Sequence, residues 1–264
     1  MTASLPLIPT LTPIWPTPKG VRSIITCAQD TANAEILGMS GVLPASAQAA
    51  YGPFNLALHV GDSHAKVSAC RQALAKQMDV PAWQWLNQVH GIEVVESSTC
   101  GRVPDADGCF STQKNVACTV LTADCLPVLF CNTQGSQVAA AHAGWRGLAA
   151  GVLEATCQHF AHSDTLMAYL GPAIGPRVFE VGALVKSVFE QAIGAEASTC
   201  FIAHPQKKEH YFADLYALAR IKLMRLGIQK IYGATACTLT DHRFYSYRRQ
   251  AVTGRFASAI WLSG

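Results

Sequence analysis

Thr122-Ala123-Asp124-Cys125-Leu126-Pro127-Val128-Leu129-Phe130-Cys131, followed after a polar, Gly135-containing turn by Val138-Ala139-Ala140-Ala141-His142-Ala143-Gly144-Trp145-Arg146-Gly147, is the stretch on which the fold turns. The apolar runs Leu126–Cys131 and Val138–Ala141 are too short for helices and are bounded by a turn, so they read as paired or neighbouring buried strands. Cys125 precedes the first run and His142 follows the second. Pairing of the strands therefore brings a thiol and an imidazole together although they lie 17 positions apart. Gly144 to Gly147 then opens a helical run, Leu148 to Cys157, whose free N–H groups and Arg146 face the same corner and attract anions.

Outward from this core, strands are predicted at Gly20–Cys27, Phe54–Val60, Trp83–His90, Ile92–Glu96, Val116–Leu121, Leu166–Leu170, Ile231–Cys237 and Ala257–Leu262. Helices are predicted at Lys66–Met78, capped by Asp62 or Ser63, at Leu148–His159, at Ala183–Ala192, and at Leu215–Leu226, capped by Asp214. Arg102–Gly108 reads as a turn, and residues 29–50 as an irregular excursion rich in Ala, Gly and Ser. Strands and helices mix without strict βαβ alternation, and no repeat or linker divides the chain. The expectation is an α/β fold: one domain over residues 1–264, a mixed-sheet sandwich flanked by helices, with residues 1–18 as an extended N-terminal segment.

Of the 264 residues 50% are hydrophobic and 14% charged, and the formal charge is +3, a balance that excludes disorder and coiled coil. No basic block exceeds two residues, so nothing calls for nucleic acid, whereas single anionic ligands suit the charge. The proline-broken N-terminus lacks a basic region and no run reaches the roughly 20 apolar residues of a membrane span. The expected location is the cytoplasm, without membrane association. The 10 cysteines are then mostly reduced, buried thiols, and none form Cys-x-x-Cys.

His90, Cys125 and His142 are three ligand-capable side chains, each at a strand end beside glycine or a turn. Catalytic zinc takes three protein ligands, Cys with two His among the accepted sets, and keeps a fourth position for water whose pKa it lowers. The same residues admit a second reading, in which Cys125 is a thiolate nucleophile activated by His142 with the Gly144 helix start as oxyanion hole. Asp124 either orients a ligand histidine, acts as a general base, or caps its turn, and Asp107 shares that ambiguity. Arg146 and the Arg248-Arg249 pair, interleaved with Tyr245 and Tyr247, are candidate anion holders. His159 and His162 read as an exposed face.

Five motifs in order carry a resemblance: Leu86-Asn87-Gln88-Val89-His90-Gly91, Thr122 to Pro127, His142 to Gly147, Leu170 to Pro176 with Phe179 to Gly182, and Tyr245 to Arg249 with Gly254-Arg255. From about Trp15 to Leu262 the chain closely resembles the YfiH family, also called the laccase-domain or polyphenol oxidase family and the peptidoglycan editing factor. The resemblance implies a single α/β sandwich and a zinc site at His90, Cys125 and His142. It also implies phosphorolysis of adenosine, inosine and methylthioadenosine together with adenosine deamination, with phenol oxidation by copper and peptidoglycan-precursor editing as the family's other attributed roles. One region departs. Similar proteins carry Thr-Arg and a Gly-Gly-Val-Ser turn where this chain has Thr26-Cys27 and the 29–50 excursion, and Cys70-Arg71 stands where Asn-Arg is common.

Chemistry ranks these activities. Phosphorolysis needs phosphate held against an anomeric carbon, for which Arg146, with Arg249, is the expected cradle; deamination needs activated water and a proton-moving acid such as Asp124. The expected catalytic set is Cys125, His142, His90 and Asp124, with purine nucleosides and phosphate as ligands. The chain has no His-x-His, which counts against a multicopper laccase, although copper also competes for a Cys and two His. The expectation is thus a zinc-dependent purine nucleoside phosphorylase and adenosine deaminase. The alternatives are a peptidoglycan-precursor hydrolase, a copper-dependent polyphenol oxidase, and a partner-binding protein that has lost activity.

Overall fold

A computed structural model describes residues 6–29 and 50–264. The excursion expected at residues 29–50 lies almost wholly outside them. The hairpin forms as expected: β7 (Leu126–Asn132) pairs antiparallel with β8 (Val138–Ala143), placing Pro127 opposite His142. The hairpin is the middle of a six-stranded sheet. On one side β7 meets β9 (Leu166–Leu170) and then the parallel β13 (Lys230–Gly233); on the other β8 meets β5 (Gly108–Ser111) and then the parallel β4 (Val94–Glu96). A five-stranded sheet runs β1 (Thr10–Leu11), β2 (Val21–Thr26), β14 (Phe256–Leu262), β6 (Val116–Thr122) and β3 (Ala82–Gln84), the last two parallel. A small sheet of β10 (Glu180–Gly182), β12 (His210–Ala213) and β11 (Phe201–Ala203) completes the mixed α/β architecture.

Side-chain alternation sets the layers. Leu129 and Cys131 of β7, Val138 and Ala140 of β8, Cys118 and Val120 of β6 and Ile260 of β14 fill the space between the two large sheets. Ala117, Leu121, Ala257 and Ala259 turn the other way, onto α1 (His64–Met78), which buries Val67, Cys70, Ala73 and Leu74. The outer face of the six-stranded sheet, Leu126, Val128, Phe130, Ala139 and Ala141, packs on α2 (Trp145–Ala150), α3 (Val152–Cys157), α4 (Ala183–Ile193) and α5 (Leu215–Arg225). His142 shares the parity of Val138 and Ala140, so β8 delivers it to the space between the sheets at its open end. No helix among the described residues is long and apolar enough to cross a membrane.

Ser63 caps α1 by accepting from Lys66 N, and Asp214 caps α5 by accepting from Ala217 N, both at expected positions. Elsewhere local chemistry overrides the pattern. Phe54–Val60 is a loop, because the buried Asn55 side chain takes Ala57 N, Ala57 O and Arg255 N in place of a neighbouring strand. Only Ala82–Gln84 of the run to His90 is strand, since the Gln88 amide bonds Leu121 N and O and draws that segment across the sheet end. The single helix expected at Leu148–His159 is two, broken at Gly151, whose φ of 112° suits glycine. The strand expected at Ile231–Cys237 stops at Gly233 (φ 81°), which crosses so close to the Leu170 backbone that a Cβ would collide with it.

Candidate metal centre

His90, Cys125 and His142 meet at the open end of the sandwich, their ligand atoms all within 4.8 Å of one another. The His90 and His142 rings stand edge to face, 4.8 Å between centroids, and His90 Nε2 lies 4.0 Å from Cys125 Sγ. Ligands bonded at about 2.0–2.3 Å around a tetrahedral ion sit roughly 3.5 Å apart, so little adjustment separates this cluster from a zinc coordination shell. Among the described residues this is the only such group. Gly144 borders it: a Cβ there would lie 3.0 Å from Cys125 Sγ, 3.0 Å from His90 Cδ2 and 3.5 Å from His142 Nε2. Any other residue would crowd the ligands, which explains glycine at the head of α2 without recourse to capping.

Asp107 organises both histidines. Its fully buried carboxylate receives His142 Nδ1 at 2.7 Å, His90 N at 3.0 Å, Val89 N at 3.1 Å and Gly91 N at 2.6 Å. The bond to Nδ1 leaves His142 Nε2 for a metal, and the backbone bonds hold His90 at φ 61°, a conformation costly for a side-chain-bearing residue. Burial opposes ionisation of Asp107, but His142 and these N–H donors outweigh it and hold the carboxyl below its ordinary range. Burial likewise pushes the Cys125 thiol up, yet His142 and then His90 bring it down to about 6; His142, against its own burial, is raised to about 9 by Cys125 and Asp107. Metal binding takes cysteine as the thiolate and histidine as the neutral ring, and the donor set of one thiolate and two imidazoles fits zinc.

Asp124 has φ 93°, and both its oxygens are engaged, Oδ1 by Thr238 Oγ1 at 2.6 Å and Oδ2 by Arg248 N at 2.6 Å. It pins the segment carrying Arg248 beside the pocket; the histidine-orienting role belongs to Asp107. Arg146 is exposed on the pocket wall, its guanidinium 4.4 Å from the ring of Trp145. The helix behind it has six residues, too short for the strong anion-attracting start expected from the sequence. Arg249 is not at the pocket: its guanidinium donates to the carbonyls of Thr238, Leu239 and Phe244 at 2.5–3.0 Å. Against the anion-holding role expected of it, Arg249 braces the loop from which Arg248 projects. Arg249→Ala should therefore lower stability by about 2 kcal/mol in denaturant unfolding while leaving the KM for phosphate within twofold, and a selective rise in that KM would restore the anion-holding role.

The centre floors a cavity of about 390 Å³, within the roughly 300–1,000 Å³ of small-molecule sites. Trp145, Ile174, Phe179 and Leu215 give it an apolar wall, Tyr247 and Arg248 a rim, and His59, Gln88, Leu121 and Arg255 the side next to the five-stranded sheet. His159 stacks on Phe110 away from the cavity. Cys27 is buried with Phe244 and Phe256, so no cation issues from this position, where the resemblance led to an expected arginine.

Residues 40–263 match the family model described as multi-copper polyphenol oxidoreductase laccase. A purine nucleoside phosphorylase of Pseudomonas aeruginosa is 46% identical over 256 residues, 96% of this chain and 98% of that protein. Purine nucleoside phosphorylase YfiH of Escherichia coli K12 is 45% identical with the same coverage. The crystal structure of Neisseria meningitidis protein NMB0706, of the DUF152 family, is similar at a TM-score of 0.86 and 43% identity, covering 97% of this chain and 99% of its own.

Proposed function

The chain belongs to the multi-copper polyphenol oxidoreductase laccase family, the family of YfiH, and from that premise we propose a zinc-dependent purine nucleoside phosphorylase acting on adenosine, inosine and methylthioadenosine, with adenosine deamination as a second activity of the same pocket. The observation that carries the reading is the meeting of His90, Cys125 and His142 on the floor of a cavity with one apolar wall and several cationic side chains. We take the protein to be a single domain of cytoplasmic residence.

His90, Cys125 and His142 would hold the metal, which when bound supplies Lewis acidity beside an open coordination position. The rest falls to the protein. Trp145, Ile174, Phe179 and Leu215 would bury the faces of a purine and exclude water from it, with Tyr247 and Arg248 standing at the rim. Gln88 is locked by both ends of its amide to Leu121 and keeps the polar side of the cavity rigid. In phosphorolysis an oxygen of phosphate bonds to the anomeric carbon as the bond from that carbon to the purine nitrogen breaks; the base leaves with the electron pair and takes up a proton. Holding the two reactants in line is the main requirement, and a walled cavity meets it.

Arg146, exposed at the wall, steers phosphate into the cavity. Arg146→Ala should lower kcat/KM for phosphorolysis about fivefold at low salt and less at high salt, with a smaller effect on deamination; equal losses in both reactions would remove the phosphate-specific role.

The reading is tested by elemental analysis of protein purified without added metal, coupled to assays of adenosine and inosine with and without phosphate. Stoichiometric zinc with phosphate-dependent release of base and ribose 1-phosphate is expected. Release of an amino acid from a peptidoglycan precursor without phosphate would favour the hydrolase instead. Copper competes for these ligands, and the family description favours phenol oxidation as the second reading; turnover of a phenol only by the copper-loaded form, with no nucleoside cleaved by the zinc form, would establish it.

A further inference from the structure

Of the arginines on the cavity wall, Arg255 differs in its surroundings. Asn55 Oδ1 accepts from Arg255 N at 2.9 Å and Leu56 N donates to Arg255 O at 3.3 Å, so the residue is stapled to the loop that carries His59. Its Nη1 donates to Thr253 O at 2.9 Å and Gly254 O at 3.0 Å, bonds within its own turn that fix the guanidinium. Nε and Nη2 have no acceptor among the described residues. Neither does any described carboxylate lie within 4.0 Å of Arg255 or of Arg71, whose Nε donates to Leu56 O at 2.8 Å while its guanidinium lies over Trp85. Burial pulls both guanidiniums down, Arg71 to about 10. Both are partly buried, and Arg255 feels the Cys125 thiolate and Asp124 only through space, so its free donors have no anion in contact and an arriving one pairs with them at little cost.

The other cations on the wall are differently placed. Arg146 is exposed and stacked on its own neighbour, and Arg248 is exposed with Nη1 committed to Glu180 O. His59 lines the cavity with Arg255, and burial followed by the fields of Arg255 and Arg71 pulls it down towards a neutral ring that still carries an N–H donor.

We propose that Arg255, assisted by His59, seats the phosphate co-substrate on the side of the cavity next to the five-stranded sheet, facing the apolar wall that takes the purine. This rests on the phosphorylase reading above. The planar fork of Arg255 offers two donors to phosphate oxygens, and its anchored Nη1 removes most of the ordering cost of using them. Arg71, behind His59, adds positive field without touching the ligand.

The test uses the metal-loaded full-length protein and its Arg255→Gln and Arg255→Lys variants, with inorganic phosphate as the probe. Phosphate binding is read from 31P NMR line broadening, independently of turnover, and KM for phosphate and for inosine is measured beside metal content and thermal unfolding. In Arg255→Gln we expect KM for phosphate to rise at least about tenfold and line broadening to vanish, with metal content and KM for inosine within twofold of wild type. Arg255→Lys, which keeps charge but not the fork, should fall between. Wild-type phosphate binding in Arg255→Gln, or its loss in Arg146→Ala instead, would overturn the assignment. If wild type binds phosphate through Arg255 yet cleaves no nucleoside, the seat stands and the phosphorylase reading falls. Binding of a nucleoside 5′-monophosphate through Arg255 without any binding of free phosphate would overturn the co-substrate role, because the anion would then belong to the nucleotide.

Discussion

Cys125→Ala protein is expected to purify without stoichiometric metal and to lose more than about a thousandfold in kcat/KM for every nucleoside. The thiolate is the only anionic member of the three ligands, and an alanine there leaves two imidazoles to hold a divalent cation alone. Loss of activity by itself does not separate ligation from nucleophilic attack, since both need this sulfur. Cys125→Asp does separate them. An aspartate is an accepted zinc ligand, so it should recover part of the metal and part of the turnover if ligation is the role, and neither cleavage nor a covalent adduct if the sulfur attacks substrate. Full metal content and undiminished turnover in Cys125→Ala would remove the centre from the reaction.

The position of Cys125 was legible because strand ends announce themselves. Leu126–Cys131 and Val138–Ala141 are apolar at every position, so the chemically able residues just beyond them had to cluster once the runs paired, and the register of Pro127 opposite His142 is the result. His90 was legible as the polar end of an aromatic run before Gly91, even though that run is mostly loop. The helix caps at Ser63 and Asp214 were legible for the same reason: each is a local signal acting on its own backbone.

What was hidden depends on partners far away in sequence. Arg248 and Arg249 are indistinguishable as neighbours, and only the carbonyls of Thr238, Leu239 and Phe244 decide that the second is structural. Arg255 stands on the cavity wall partly because Asn55, 200 positions earlier, binds its backbone. The strands of the small sheet have three or four residues each, too few for a period to show. Asp107 read as part of a turn because Gly108 follows it, and Gly108–Ser111 has no alternation to mark it as a strand beside β8.

That pairing makes Asp107 the second residue whose loss should be severe. Opposite Ala141, Gly108 brings Asp107 beside His142, whose backbone N donates to Asp107 O at 2.6 Å while its ring donates to the carboxylate. Asp107→Ala would strand the Nδ1–H of His142 and the three N–H groups of Val89, His90 and Gly91, of which the first is buried and the rest lose their shared acceptor. Leaving such donors unpaired costs about 1–3 kcal/mol each where water cannot replace the carboxylate, so a total loss of about 3–5 kcal/mol in unfolding free energy is expected. His90 would also be released from its φ of 61°. Asp107→Asn is the sharper variant: its amide oxygen can accept from the backbone while its NH2 confronts Nδ1, or the reverse, but it cannot satisfy all four donors. Zinc affinity in Asp107→Asn, measured by competition with a chelator, should fall by roughly 10–100-fold, and added zinc should restore turnover in proportion to occupancy. Wild-type zinc affinity in that variant, with only stability reduced, would mean that Asp107 holds the loop and not the ligand, and that β8 alone orients His142.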